Sequence, residues 1–336
     1  MKRVGIFVLN YNGKRFVQDL YSSLLSQTYK DFDVIVADNA SSDDSIALIK
    51  RNFPNIKILQ FKKNYGFAKA FNYIAQKNPY EFLLFLNNDV HVAPTWLEEL
   101  MKSIERNKLI LMANCKNLYW TQPDFINSAG GKLTFLGSGM QLGNYEKNLN
   151  YIDLEKYVGM AQGCAMLVRR ALFLKVGGFD NNYFLLGEEA DICWRGWLSG
   201  YRTIYNPKSI LYHYGAYSIK QKTWFFTEFQ VTKNRYMTLL KNAQLRYLPF
   251  SLVFSVLFDF TKIIQRRETS EISAIFKSFF YLLINFRNVY HKRKTIQSLR
   301  RISDQKLIRW GFFGTFWDFI KVTQIRKGFL KQLKET

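Results

Sequence analysis

The sequence predicts an α/β fold: a mostly parallel, doubly wound sheet at the front of the chain, followed by a helical, basic tail. Three observations carry this. Four short apolar runs in the first 90 residues alternate with stretches of helical period. Asn and Asp stand at the ends of three of those runs. The formal net charge of +22 is concentrated at the back, with 23 Lys/Arg against 7 Asp/Glu from Lys220 onward and 25 against 19 before it.

The runs VGIFVLN (4–10), DVIVADN (33–39), IKILQF (56–61) and FLLFLNND (82–89) are rich in Val, Ile, Leu and Phe and read as strands buried on both faces. Between the first two, Phe16, Val17, Leu20, Tyr21, Leu24 and Leu25 fall at i, i+3, i+4 spacing and predict a helix. After the second, Ser41, Ser42 or Asp43 is placed to cap a helix through Ile46, Leu48 and Ile49. A third helix covers 66–77. The middle, 110–185, is less regular and reads as loops and short strands with one helix near 169–176, then a GGFD turn (177–180). A further helix starts near Gly187. From about residue 225 come apolar stretches at 247–260, 275–286 and 310–320, separated by Arg266-Arg267, Lys292-Arg293-Lys294 and Arg300-Arg301.

Composition excludes several classes. A hydrophobic fraction of 48% is enough for a packed core, so the chain is not disordered. Cys115, Cys164 and Cys193 are widely spaced with no C-x-x-C, which points to a reducing compartment and away from a structural zinc site. MKRVGIFVLNYNG has too short an apolar run for a signal peptide. No window holds 18 uncharged apolar residues, so no clean transmembrane helix is expected.

In doubly wound sheets, ligands bind beyond the carboxyl ends of the strands. Asn10-Tyr11-Asn12, Asp38-Asn39 and Asn87-Asn88-Asp89 occupy those ends. Asp38 is placed either as a strand end or as an acceptor for a base or ribose. Asp89 is either a turn residue or a ligand for a hard cation such as Mg²⁺ or Mn²⁺. GEEADICWRG (187–196) sets three carboxylates within four positions of a basic chain. Glu188 and Glu189 suit a first helical turn, where they complement the helix dipole. Asp191 and Arg195 form an i, i+4 pair of a kind that is worth about 0.3 kcal/mol on an exposed helix. That leaves Glu188 and Glu189 available to a cleft. His213 is either structural or a metal ligand.

Taken in order, VLNYNG, VADNASSDDS, NYGFAKAFN (64–72), LFLNNDV, GCAMLVRR (163–170), GGFDNNYFLLGEEADICWRG and LYHYGAYS resemble the inverting glycosyltransferases of family 2, with the GT-A fold, and their rhamnosyltransferase-like branch. The motifs span residues 4 to about 218, and KRKTIQSLRRISDQKL (292–307) resembles tails of the same branch. The resemblance implies a GT-A domain over 1–225 and a helical, basic and aromatic, membrane-associating region over 226–336. It implies that Asp38 binds the base and Asn88 stands near the ribose. Asn10, Asn64, Gly66 and Lys69 would complete the nucleotide pocket. Asp89 would hold Mg²⁺ or Mn²⁺, His213 would be a second metal ligand or a diphosphate contact, and Glu189 would be the general base. Glu188 would be the alternative base, and with Asp191, Trp194 and Arg195 would give acceptor or structural support, Asp191 by holding Arg195. The chain departs from the family pattern twice: the metal motif has a single carboxylate, with Asn at 87 and 88, and Glu189 stands where Asp is usual.

On this reading the chain moves a sugar from a nucleotide-diphosphate sugar, dTDP-rhamnose or a UDP-sugar, to a glycan or polyprenyl-linked acceptor in bacterial surface polysaccharide synthesis. The tail's apolar stretches of 11 to 14 residues are too short to span a bilayer but suit its surface. Basic residues near an anionic leaflet add about 1 kcal/mol each. The chain is thus expected in the cytoplasm, attached to the inner face of the cell membrane. The tail could instead pack on the catalytic domain. A net +22 also suits a nucleic-acid-binding protein, but no RNA-binding motif is visible and the sheet rim carries acids, so no nucleic-acid partner is expected. The reduced metal motif leaves an inactive, scaffold-like relative as a further alternative.

Overall fold

The computed structural model describes residues 2–148, 153–215, 222–266 and 269–335. The front half follows the alternation: β1 (Val4–Asn10), α1 (Val17–Leu25), β2 (Phe32–Asp38), α2 (Ser45–Asn52), β3 (Lys57–Gln60), α3 (Gly66–Lys77) and β4 (Phe82–Asn87). Next come β5 (Val90–Val92), α4 (Trp96–Glu105), β6 (Ile110–Tyr119), β7 (Ile126–Ser128), β8 (Gly131–Leu133), β9 (Gly139–Gln141), β10 (Lys156–Tyr157) and β11 (Ala165–Arg169). α5 (Arg170–Lys175), α6 (Glu188–Leu198) and β12 (Arg202–His213) complete the sheet region. The tail is helical: α7 (Trp224–Asn242), α8 (Leu248–Arg266), α9 (Thr269–Ile284), α10 (Phe286–Ser298), α11 (Asp304–Arg309) and α12 (Phe316–Glu335).

The main sheet runs β10-β12-β6-β11-β4-β1-β2-β3. β1 pairs in parallel with β2 and β4, β2 with β3, and β12 with β6. β11 enters antiparallel between β4 and β6, so the sheet is mixed. Side chains alternate across it, as the two-residue period requires. Ile6, Val8, Leu84 and Leu86 face α1 and α4, with Leu20, Leu24, Trp96 and Leu100. Phe7, Leu83 and Phe85 face α3 and α6, with Phe67, Phe71 and Trp194. Continuous apolar runs are thus the signature of a sheet covered on both sides. The three cysteines are buried free thiols.

Three local expectations are corrected. α2 is not capped by Ser41, Ser42 or Asp43. Asp44 is its N-cap without a side-chain cap bond, while Asp43 accepts from the Ser45 amide (3.1 Å) and the Lys14 amide (2.9 Å), tying the loop to the β1 end. The middle is more regular than expected, since β6 runs ten residues and β12 twelve. The stretch 310–320 is not one helix: Phe313 packs on Trp194 and Phe312 on Trp197 in the core, and helix begins only at Phe316.

The tail divides in two. α7 is buried although polar, with Lys233, Asn234, Arg235, Thr238, Lys241 and Asn242 all at most 4% exposed. Lys241 and Lys292 converge on Asp180, and Trp194 Nε1 donates to Asp304 on α11 (3.1 Å). Burial alone would raise the Asp180 carboxyl; the two ammonium groups override it and hold it well below the usual range. α7, α10 and α11 therefore lock onto the sheet domain. α8 and α9 instead show large apolar side chains to solvent. Against expectation, one helical segment, Leu248–Gln265, is long and apolar enough to cross a membrane by length and composition, with mean hydropathy 1.4.

Candidate functional site

A cleft of about 650 Å³ opens beyond the carboxyl ends of β1 and β4, where the topology predicts a ligand. One wall comes from Asn39, Asn64 and Gly66. Asn39 Nδ2 donates to Asn64 Oδ1 (2.9 Å), and Asn39 Oδ1 accepts from the Tyr65 amide (2.8 Å). Gly66 has φ +73, and a Cβ there would sit 2.3 Å from the Phe184 carbonyl oxygen. Only glycine meets both demands.

Asn10 and Asp38 stand behind that wall. Asn10 Nδ2 reaches Asp38 Oδ1 (3.1 Å), Ser41 Oγ (3.0 Å) and Ser45 Oγ (2.9 Å), and Asn10 Oδ1 accepts from Asn88 Nδ2 (3.1 Å). Asp38 also accepts from the Ser41 hydroxyl (2.5 Å) and amide (3.3 Å). Both are buried and neither lines the cleft. They fix the ends of β1 and β2 and, through Asn88, the loop carrying Asp89. Lys69 is exposed on α3 and also does not line the cleft.

Asp89 and His213 meet at the cleft floor, with Asp89 Oδ1 3.4 Å from His213 Nε2. The β5–β12 ladder aligns them by pairing His213 with Val90. His213 Nδ1 lies 3.1 Å from Asn127 Oδ1. In the tautomer with the proton on Nδ1, which suits the amide oxygen, Nε2 is left as a lone pair. That Nε2 is buried and has no hydrogen-bond partner among the described residues. A lone pair beside a carboxylate is a donor set that a cation can bridge. The pair therefore fits Mg²⁺ or Mn²⁺ held by two protein ligands, with the remaining positions left to substrate oxygens. Among the described residues no cluster of three or more His, Cys, Asp or Glu could hold a metal by itself.

Glu188 and Glu189 open α6 behind Gly187, whose φ of +87 turns the chain into the helix. Leu186, just before, is also left-handed at φ +72. Asn234 on α7 holds this strained turn by donating to the carbonyls of Leu185 (3.0 Å) and Leu186 (2.6 Å). Both glutamates line the cleft. Glu189 is half-buried above Gly163, where a Cβ would come within 3.7 Å of its carboxyl carbon. Glu188 is buried, and its Oε2 has no hydrogen-bond partner among the described residues. Burial, then the neighbouring Glu189 charge, pushes the Glu188 carboxyl well up; burial also raises Glu189.

Asp191, Trp194 and Arg195 point the other way, into the core. Asp191 Oδ2 accepts from Arg195 Nε (3.0 Å) and Nη2 (2.8 Å), and Oδ1 accepts from Asn242 Nδ2 (3.0 Å) and lies 3.0 Å from Lys241 Nζ. Arg195 also donates to the carbonyls of Val176 (2.6 Å) and Gly178 (2.7 Å). The pair is fully buried and networked, so the small energy of an exposed i, i+4 pair does not describe it.

The sequence reading did not place several cleft residues. Lys222 lies 5.2 Å from the Tyr11 ring centroid at one edge. Tyr119, Asn127, Asn144 and Tyr145 come from the middle region, and Phe329 from α12 packs 4.9 Å from Tyr145. None belongs to a run or spacing that marks it beforehand. Ala216, Tyr217 and Ser218 of the LYHYGAYS motif lie outside the described residues.

Comparisons with known proteins agree on the class. The Glycosyl transferase family 2 model matches residues 5–176. The O-antigen biosynthesis protein RfbC of Myxococcus xanthus is 27% identical over 64% of this chain, which spans only 18% of that relative's length. The N-acetylglucosaminyl-diphospho-decaprenol L-rhamnosyltransferase of Mycobacterium tuberculosis is 26% identical over 63% of this chain and 76% of its own. Among solved structures, GalNAc-T7 with UDP, GalNAc and Mn²⁺ aligns with a TM-score of 0.59 at 16% identity, over 74% of this chain and 49% of its own. S. aureus TarS 1–349 in complex with UDP aligns at 0.54 and 16%, over 93% and 92%. These likenesses show the fold, and it is of the GT-A type. With the family match covering half of its length and its relatives including a rhamnosyltransferase, this chain belongs to glycosyl transferase family 2.

Proposed function

We propose that this chain transfers a sugar from a nucleotide-diphosphate sugar to a hydroxyl of a glycan or polyprenyl-linked acceptor, with inversion at the anomeric carbon. The carrying observation is the shared cleft: Asp89 with His213 on its floor and Glu189 on its rim. Relatives bearing O-antigen and rhamnosyltransferase names support surface polysaccharide synthesis as the setting, and the donor on this reading is dTDP-rhamnose or a UDP-sugar.

Asn39, Asn64 and the bare backbone at Gly66 form the wall for the nucleotide, and Lys222 offers a positive charge at its edge. A divalent cation held by Asp89 and His213 would neutralise charge on the departing diphosphate. Glu189 takes the proton of the acceptor hydroxyl. The acceptor oxygen bonds to the anomeric carbon as the bond to the diphosphate oxygen breaks on the opposite face. One protein carboxylate suffices for that displacement. The work site is the inner face of the cell membrane, where a lipid-linked acceptor is presented.

The test is a titration of UDP, dTDP and GDP with and without Mn²⁺ or Mg²⁺, on the wild type and Asp89→Ala. Metal-dependent binding of one nucleotide, lost in the variant, supports the reading and names the carrier. Failure to bind any nucleotide, with tight salt-sensitive binding of RNA, overturns it in favour of a nucleic-acid partner. Nucleotide binding without turnover of any nucleotide sugar points to an inactive relative.

The glutamate pair predicts a pH dependence. Glu189 works only when ionised, so kcat/KM should fall as pH drops through its raised pKa, and the acid limb should lie above the ordinary Glu value of about 4.3. Glu188, pushed higher still by burial and by the Glu189 charge, stays uncharged across that limb, so Glu188→Gln should shift it little. For stability the sign is opposite to that of an ion-paired carboxylate. Raised carboxyl pKa values give stability that is full below the unfolded pKa and lost as pH rises through the folded one. Glu188→Gln should therefore flatten the fall in melting temperature as pH rises from the unfolded to the folded pKa of Glu188. A pH–rate profile and a melting series on both proteins check the two outcomes.

A further inference from the structure

Helices α8 and α9 reverse the polarity of an ordinary surface helix. Along α8, Ser251, Ser255 and Asp259 recur every fourth residue and are at most 2% exposed. Asp259 fastens this stripe to α7, accepting from Arg235 Nη2 (2.5 and 2.6 Å) and the Tyr236 hydroxyl (2.8 Å), and Lys262 pairs with Glu228 one turn on. The outer face presents Phe250, Val253, Phe254, Val256, Leu257 and Phe260, each 43–63% exposed. On α9, Glu271, Ala274, Ile275 and Ser278 face inward, while Phe276, Phe280, Leu283 and Ile284 are 64–75% exposed. Water penalises such a surface, and a contiguous apolar face of this size marks a contact with something apolar.

The charge around it narrows the choice. Among the described residues of 243–298 the acids, Asp259 and Glu271, are buried. The exposed charged side chains, Arg246, Lys277, Arg287 and Lys294, are all cationic. A second copy would bring like charges together. A bilayer with anionic headgroups meets the apolar face with acyl chains and the rim with negative charge. Spanning is disfavoured despite the length of α8, because Asp259 sits within it and is tied to α7.

We propose that the α8–α9 pair is a monotopic wedge that enters one anionic phospholipid leaflet apolar face first, with α7 as its mount. This rests on the membrane-surface reading above and assigns it to two helices, not to the whole tail. Cutting the chain at about residue 225 would not test it, since that removes α7, whose buried side chains hold the turn before Glu188.

The experiment floats the full-length protein on phosphatidylcholine vesicles with and without phosphatidylglycerol. Wild type should partition onto the anionic vesicles. Val253→Gln, Leu257→Gln, Phe276→Gln and Phe280→Gln together should lower partitioning at least ~30-fold, since each removes an inserted side chain. Trp317→Gln, 74% exposed on α12, should leave partitioning unchanged. Nucleotide titration on the same proteins should match wild type, and its loss in every protein would indict the transferase reading instead. As an independent measure, Phe254→Trp fluorescence should be quenched by lipids brominated on their acyl chains. The proposal is overturned if wild type fails to float on anionic vesicles, if the fourfold variant floats equally well, or if the Phe254→Trp signal is not quenched. A wild-type dimer that the fourfold variant dissolves, without lipid binding, would assign the face to a second copy.

Discussion

Glu189→Gln should abolish sugar transfer while leaving nucleotide binding intact. The amide keeps the shape of the carboxylate above Gly163 but cannot accept the acceptor's proton. General-base catalysis contributes ~10²–10⁴-fold, so kcat should fall by about that factor. Nucleotide affinity should hold, because the wall at Asn39, Asn64 and Gly66 and the Asp89–His213 pair belong to other elements. Parallel assays of transfer and nucleotide binding check this. Full activity in the variant would move the base to Glu188, whose buried Oε2 without a hydrogen-bond partner is the nearest alternative.

Asp191→Ala should strongly destabilise the fold. It removes the carboxylate that receives Arg195, Lys241 and Asn242 and leaves two buried cations short of a counter-charge. Breaking a buried pair in this way costs ~3–5 kcal/mol, against total stabilities of roughly 5–15 kcal/mol. Urea or thermal unfolding should show a large loss of midpoint. The exposed Lys14–Asp44 pair is the control, and Asp44→Ala should leave the midpoint in place. The effect on catalysis should be indirect. Lys241 and Arg195 link α6 to α7 and to the 176–180 turn, so a protein that survives should place Glu189 less firmly, with kcat falling more than nucleotide affinity.

Much of the fold was legible because its strands are buried on both faces. Continuous apolar runs at 4–10, 33–39 and 82–89 leave few alternatives, and they became β1, β2 and β4 within two residues at each end. The failures have local reasons. β12 is not marked by a continuous apolar run, since Asn206-Pro207 interrupts it; the strand absorbs the pair as an irregularity between Asn206 and Ile210 while keeping its pairing with β6. α4 buries Trp96, Leu97, Leu100, Met101 and Ile104, a helical spacing that is visible in the sequence. α7 was opaque for a better reason. Its buried face is polar, so hydrophobic periodicity cannot report it.

By itself the sequence determined the order of the front strands and helices up to β4, the family resemblance, the helix start at Gly187 and the concentration of Asn and Asp on one rim of the sheet. These depend on neighbours within a few positions, where period and residue type are enough. Only the tertiary structure decided which rim residues face the cleft. Adjacent residues at a strand end point to opposite sides, so Asp38 turns inward to Asn10 and Ser41 while Asn39 turns to the cleft. It also decided that Asp89 meets His213, 124 positions apart, because the β5–β12 ladder brings them together. In the tail, the sequence set a polar stripe against an apolar one on α8, and only packing on α7 decided which of the two faces outward. An ion pair between Arg235 and Asp259 is satisfied inside the protein, and that leaves the phenylalanines outside.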